Sequence, residues 1–151
     1  MEKFFNKESL MEASFSIFHK PITNNQPGDE TNVFDLSDLI GSGFKETTDK
    51  LRSITDKSQN HTYKSRNFNY VTFSGVFKER KDASLIKHSN LICIDIDHVG
   101  EDLERIKSII NDDKDHIIMT FTSPNGDGLK AVYPIDSSLD SQVAWYREKS
   151  A

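Results

Sequence analysis

Apolar and polar positions over residues 70–135 fall into short runs of two periods. "YVTFSGVF" (70–77) is β-branched and aromatic, which predicts a strand, with Gly75 marking a bend or a close backbone approach. "SNLICIDID" (89–97) predicts the next strand. In "EDLERIKSIINDD" (101–113) the period changes to that of a helix. Leu103, Ile106, Ile109 and Ile110 form one stripe, and Glu101 and Asp102 suit the positive end of the helix dipole. "HIIMTFTS" (116–123) predicts a strand again, "SPNGDG" (123–128) is dense turn chemistry, and "LKAVYPI" (129–135) reads as the returning strand. Strand, helix, strand at this spacing predicts a βαβ unit with parallel strands and a right-handed crossover. The last two strands should form an antiparallel hairpin.

The first half is less regular. "EASFSIFHK" (12–20) places Ala13, Phe15, Ile17 and Phe18 in a near-alternating pattern and predicts a strand. "PITNNQPGDETN" (21–32) predicts an exposed loop, and "DLSDLIGSG" (35–43) a short helical turn stopped by glycines. "FKETTDKLRSITD" (44–56) carries Phe44, Leu51 and Ile54 at helical spacing, whereas "KSQNHTYKSRN" (57–67) is polar and basic and predicts another loop. "SLDSQVAWYREKSA" (138–151) begins a helix whose apolar face, Val143, Trp145 and Tyr146, is only starting where the sequence stops, so more chain is expected beyond it. The fold class is α/β, a mixed sheet with helices. One domain is expected, with an αβ portion over 1–60, a core over 61–136 and the start of a helix over 137–151.

Composition narrows the classes. The 151 residues are enough for one domain with a real core, and 35% hydrophobic with 28% charged residues suits a soluble globular protein. A net charge of -5 argues against a basic coat for nucleic acid and leaves room for a local basic groove. Cys93 is the single cysteine, which excludes an intramolecular disulfide and suits a buried thiol in a reducing compartment. The N-terminus shows no signal peptide and no stretch approaches a membrane span, so the expected location is cytoplasmic.

The candidate chemistry sits at the end of the 89–97 strand. Side chains at i and i+2 share a face, so Asp95 and Asp97 point the same way with Cα atoms roughly 6–7 Å apart. Two such carboxylates repel each other unless a cation lies between them, and Mg²⁺ or Mn²⁺ favours oxygen ligands while leaving positions for phosphate and water. Leu91 and Cys93 share the acids' face and should keep its base dry. The alternative is a strand that has already ended, with both acids solvated. "TSPNGDGLK" (122–130) supplies Ser123, Asn125, Gly126, Gly128 and Lys130. Its glycines permit positive φ and bare N–H groups, Ser123 adds a hydroxyl and Lys130 a cation, a set that can hold a triphosphate opposite a metal. An ordinary Asn-Gly turn is the competing reading. Lys64, Arg66, Lys78, Arg80, Lys81 and Lys87 form either a phosphate-binding edge or a solvated charged face. The histidines show no zinc spacing, and His98 reads as a solvent-facing residue at a strand end.

Taken together, "YVTFSGVFKERKDASLIKHSNLICIDIDHV" and "IIMTFTSPNGDGLKAVYPI" resemble the N-terminal domain of VirE-like proteins, which is similar to the archaeo-eukaryotic primase, or primase-polymerase, superfamily. The resemblance covers about residues 60–136 and implies an RRM-like sheet. It implies that Asp95 and Asp97 bind the catalytic divalent metals and that Ser123 to Lys130 contacts the incoming nucleoside triphosphate, with Lys130 where active primases have a histidine. It further implies DNA, or RNA, as a partner, a helicase-like ATPase in the same protein, and two-metal nucleotidyl transfer in the replication of a mobile element. A third acid expected on a later strand has no convincing counterpart among Asp136, Asp140 and Glu148. Asp-x-Asp after an apolar strand also occurs in haloacid-dehalogenase phosphatases and metal-dependent glycosyltransferases, but the later motifs of the first and the nucleotide-binding half of the second are missing. The remaining alternative is a catalytically inactive primase-like module that binds nucleic acid or a partner, with Phe68, Tyr70 and Phe73 as candidate stacking residues.

Overall fold

The computed structural model of the chain describes residues 6–135. A short helix, α1 (Lys7–Glu12), opens it, held by a reciprocal cap in which Asn6 Oδ1 accepts from Ser9 N at 2.9 Å and Ser9 Oγ accepts from Asn6 N at 3.0 Å. Strand β1 (Phe15–Phe18) follows and is buried along its whole length. It lies between β2 (Asp29–Thr31) and β3 (Tyr70–Thr72), antiparallel to both. A strand covered on both faces explains why Phe15 and Phe18 are apolar and inaccessible. The expected loop over 21–32 is irregular except for the three-residue edge strand β2.

Helix α2 (Val33–Asp38) is capped by Asn32, widens into a π-type turn over Leu39–Gly43, and leads into α3 (Lys45–Ser53). The polar stretch 57–67, expected to be a loop, is helix α4 (Lys57–Asn67). No residue of α4 is fully buried, so an apolar period leaves no trace in its sequence. It is fixed instead by polar bonds: Asp56 Oδ1 accepts from Gln59 N at 2.8 Å, and Asn60 Nδ2 donates to Leu51 O of α3 at 3.1 Å.

The single strand expected over 70–77 is two. After β3 the chain bends at Phe73 and Ser74, and β4 (Gly75–Phe77) pairs with β5 (Leu85–His88), a short strand the sequence did not suggest. The expected close approach at Gly75 is real: a Cβ there would lie 2.1 Å from the Lys87 carbonyl oxygen. Phe77 N donates to the buried Ser16 Oγ at 2.8 Å, which fastens this hairpin to β1.

Strands β6 (Leu91–Ile96), β7 (Met119–Thr122) and β8 (Leu129–Pro134) form the third sheet in the order β6-β8-β7, with α5 (Leu103–Asp112) between β6 and β7 in sequence. The returning strand β8 is antiparallel to both neighbours, so β6 and β7 run parallel without touching. The expected βαβ unit is therefore a split one, closed by the expected β7–β8 hairpin. Central placement suits β8, whose Leu129, Ala131 and Val132 are almost wholly buried. On α5, Leu103, Ile106 and Ile110 are half-buried, but Ile109 is 59% exposed, so the helix rests on a narrower stripe than its sequence suggests.

Phe15, Val33, Leu36, Phe73, Leu91 and Val132 meet in one core that joins the β1 and β8 sheets. The described residues thus form a mixed α+β fold of three small antiparallel sheets and five α-helices. No helix among them is long and apolar enough to cross a membrane. The helix expected over 138–151, with Val143, Trp145 and Tyr146, and the candidate third acids Asp136, Asp140 and Glu148 lie outside the described residues.

Candidate functional site

Asp95 and Lys130 face each other across the β6–β8 ladder and form an ion pair through Asp95 Oδ2. Lys130, expected to reach a phosphate, is thus joined to a carboxylate expected to reach a metal. The pair is not sealed off, because the side chains of Lys130 and Asp95 keep 28% and 48% of their accessibility. Below it on the same strand, Leu91 is fully buried and Cys93 half-buried. Burial pushes the Cys93 thiol from 9.0 up to about 11; the Lys130 ammonium opposes the rise and the Asp95 carboxylate adds to it.

Asp97 lies one residue past the end of β6 and is exposed. A Cβ on Gly128 would stand 3.4 Å from Asp97 Oδ1, so this carboxylate borders the glycine loop. The chain then turns at His98, whose φ of 57° is a left-handed conformation uncommon outside glycine. Two contacts hold that turn to the loop: Val99 N donates to Asp127 O at 2.8 Å, and His98 Nδ1 lies 3.3 Å from Asp127 Oδ2. His98 itself is solvent-facing, with 89% of its side chain accessible.

The loop 123–128 is closed upon itself. Ser123 N donates to Gly128 O at 2.8 Å, Gly126 N to Ser123 O at 2.9 Å, and Gly128 N to Ser123 Oγ at 3.1 Å. Gly126 has φ 86°, the conformation that a glycine supplies without strain. The two glycine amides and the Ser123 hydroxyl, read from sequence as phosphate ligands, are here bonded within the loop. Asn125 is at its exposed tip.

A residue that sequence reasoning missed closes the arrangement from outside. Arg52, in the last turn of α3, donates through Nε to Pro124 O at 3.1 Å and through Nη2 to Ser123 O at 3.4 Å. Its guanidinium covers Gly126, where a Cβ would lie 3.2 Å from Nε. No local signal marks this residue, because its partners are about seventy positions away in sequence.

Of these groups Arg52, Cys93, Asp95, Pro124 and Lys130 line one cleft of about 1130 Å³, shared with residues of the N-terminal helices, whereas Asp97, Ser123, Asn125, Gly126 and Gly128 are not on its lining. Asp95, Lys130, Arg52, Lys107, Lys45, His61 and Lys64 are on its lining. Lys45 is bonded to Asp49 at 2.6 Å. The lining also includes Phe44 and Phe68, stacked with ring centroids 5.7 Å apart, and Phe121. The candidate stacking residues Phe68, Tyr70 and Phe73 all border the cleft. Tyr70 stacks on Phe18 at 4.9 Å and carries the Arg80 guanidinium over its ring, while Phe73 is buried against Phe15 and belongs to the core. Among the other cations read as a phosphate edge, Lys64 lines the cleft, while Lys81 pairs with Glu79.

Asp95 and Asp97 are the carboxylates at this site that could hold a divalent cation; among the described residues no group of three or more His, Cys, Asp or Glu is placed to do so. The fold and site define a small α+β domain with an ion-paired acid in a basic cleft. Residues 63–149 match the family model described as BT4734-like, N-terminal domain, which spans more than half of the chain, and the chain belongs to that family. No curated protein and no solved structure gives a significant match.

Proposed function

We propose that this chain is a primase-like nucleotidyltransferase domain of the VirE type, binding a nucleoside triphosphate with Mg²⁺ or Mn²⁺ in the cleft. The observation that carries this reading is the convergence of Asp95, Lys130, Arg52 and Lys107, from four separate elements, on one cleft that also holds a stacked aromatic pair. Cations suit phosphates, aromatic faces suit a base, and the acid suits a phosphate-bound metal. The strand order β6-β8-β7 around α5 is also the arrangement of half an RRM-like sheet, which supports a relation to the primase-polymerase superfamily. Asp95 and Asp97 would hold the cation, with its other oxygen ligands coming from phosphate and water. Such a cation supplies charge neutralisation at the triphosphate. Lys130, released from Asp95, would then turn to the phosphates. DNA or RNA as template and a helicase-like ATPase as partner belong to the same proposal, as does replication of a mobile element.

A second reading rests on the ion pair itself. With Lys130 neutralising Asp95, the cleft is also suited to binding nucleic acid or a partner without chemistry. Calorimetric titration of a nucleoside triphosphate with Mn²⁺ separates the two. For the first reading, wild type binds, and Asp95→Asn/Asp97→Asn binds at least about tenfold more weakly, the loss of one charge-assisted contact. Metal-independent binding of single-stranded nucleic acid, unaffected by the double substitution, would favour the second.

A further inference from the structure

We propose that Arg52 is a positioning residue that holds the 123–128 loop in shape and presents its remaining N–H donors to the ligand's phosphates. This inference rests on the cleft being a nucleotide site. Three observations carry it. The guanidinium bonds to two successive carbonyls of the loop, Ser123 O and Pro124 O, in the planar fork that arginine offers and lysine does not. Ser123 O also accepts from Gly126 N, so Arg52 acts on the carbonyl about which the loop closes. The side chain lines the same cleft as Asp95 and Lys130, and its two bonds leave donors on the guanidinium uncommitted.

The loop's own chemistry points the same way. Its glycine amides are consumed internally, so an anion arriving here meets side-chain cations rather than a cradle of backbone N–H groups. Arg52 is the cation that touches both the loop and the cleft. It comes from α3, outside the β6-β8-β7 sheet, and so ties the N-terminal helices to the loop beside the acids. Its exposure makes substitution compatible with folding.

The test compares wild type with Arg52→Lys, which keeps the charge and loses the fork. Amide exchange of Gly126 and Gly128 reports the loop without any ligand, and calorimetry with ATP and with inorganic tripolyphosphate, each with Mg²⁺, reports the phosphates. Exchange about tenfold faster at both glycines, together with about tenfold weaker affinity for both probes, is expected. Unchanged exchange, or faster exchange with unchanged affinity for tripolyphosphate, would overturn the proposal. If wild type binds ATP in an Asp95-dependent manner and Arg52→Lys binds it equally well, Arg52 loses this role while the nucleotide reading stands. If wild type binds neither probe, the nucleotide reading and the phosphate role of Arg52 both fail.

Discussion

At the scale of single residues, the site is governed by partners that lie far apart in sequence. Asp95 and Asp97 stand out in the sequence because acids follow an apolar run where they are costly, and Lys130 because a cation closes the glycine loop at the start of an apolar strand. That Lys130 would meet Asp95 was not legible, because cross-strand register depends on how β8 lies between β6 and β7. Arg52 left no signal for the same reason. Cys93 offers a direct check on the pair. Its thiol should titrate at about 11, measured by thiolate ultraviolet absorbance. Lys130→Met should raise that value further, because the ammonium is the influence that lowers it. The sign for stability follows. A thiol that ionises at 9.0 when unfolded and near 11 when folded favours the native state below 9.0, and that contribution is lost as pH rises through the interval. Chemical denaturation at pH 8 and at about pH 11 should therefore show a falling midpoint, and Cys93→Ser should reduce the fall.

Among the elements, those with a regular apolar pattern were readable and those built on polar bonds were not. Strands β6, β7 and β8 and helix α5 follow from their periods; α1, α4 and the edge strands β2 and β5 do not. Helix α4 did carry a different signal, an Asp followed three residues later by Gln, which is a helix-start signature. Asp56→Ala should remove that cap and cost about 1 kcal/mol in urea denaturation. The break between β3 and β4 falls at Phe73 and Ser74, directly before Gly75, where the sequence marks a bend. In the third sheet, Leu129 begins the central strand and is wholly buried, so Leu129→Ala should cost about 3 kcal/mol, and an unchanged unfolding midpoint would contradict that packing.

For the molecule as a whole, net charge conceals the distribution that matters. The sequence carries -5, yet one cleft gathers Lys45, Arg52, Lys64, Lys107 and Lys130 with few acids. Its volume of about 1130 Å³ is somewhat above the roughly 300–1,000 Å³ of an ordinary small-ligand pocket. Binding of an anionic ligand there should weaken as salt is raised from about 0.05 to 0.5 M, because exposed cations are screened over a Debye length of about 10 Å at 0.1 M. On the proposed reading, Asp95 on the lining and Asp97 beside it hold a cation with a nucleotide in this cleft. The most direct measurement is paramagnetic broadening of backbone amides by Mn²⁺ in the presence of a nucleoside triphosphate. Broadening centred on residues 94–98 and 123–130, and abolished by Asp95→Asn/Asp97→Asn, is the expected result. Broadening centred on the acid-rich stretch 111–115, or unaffected by the double substitution, would contradict it.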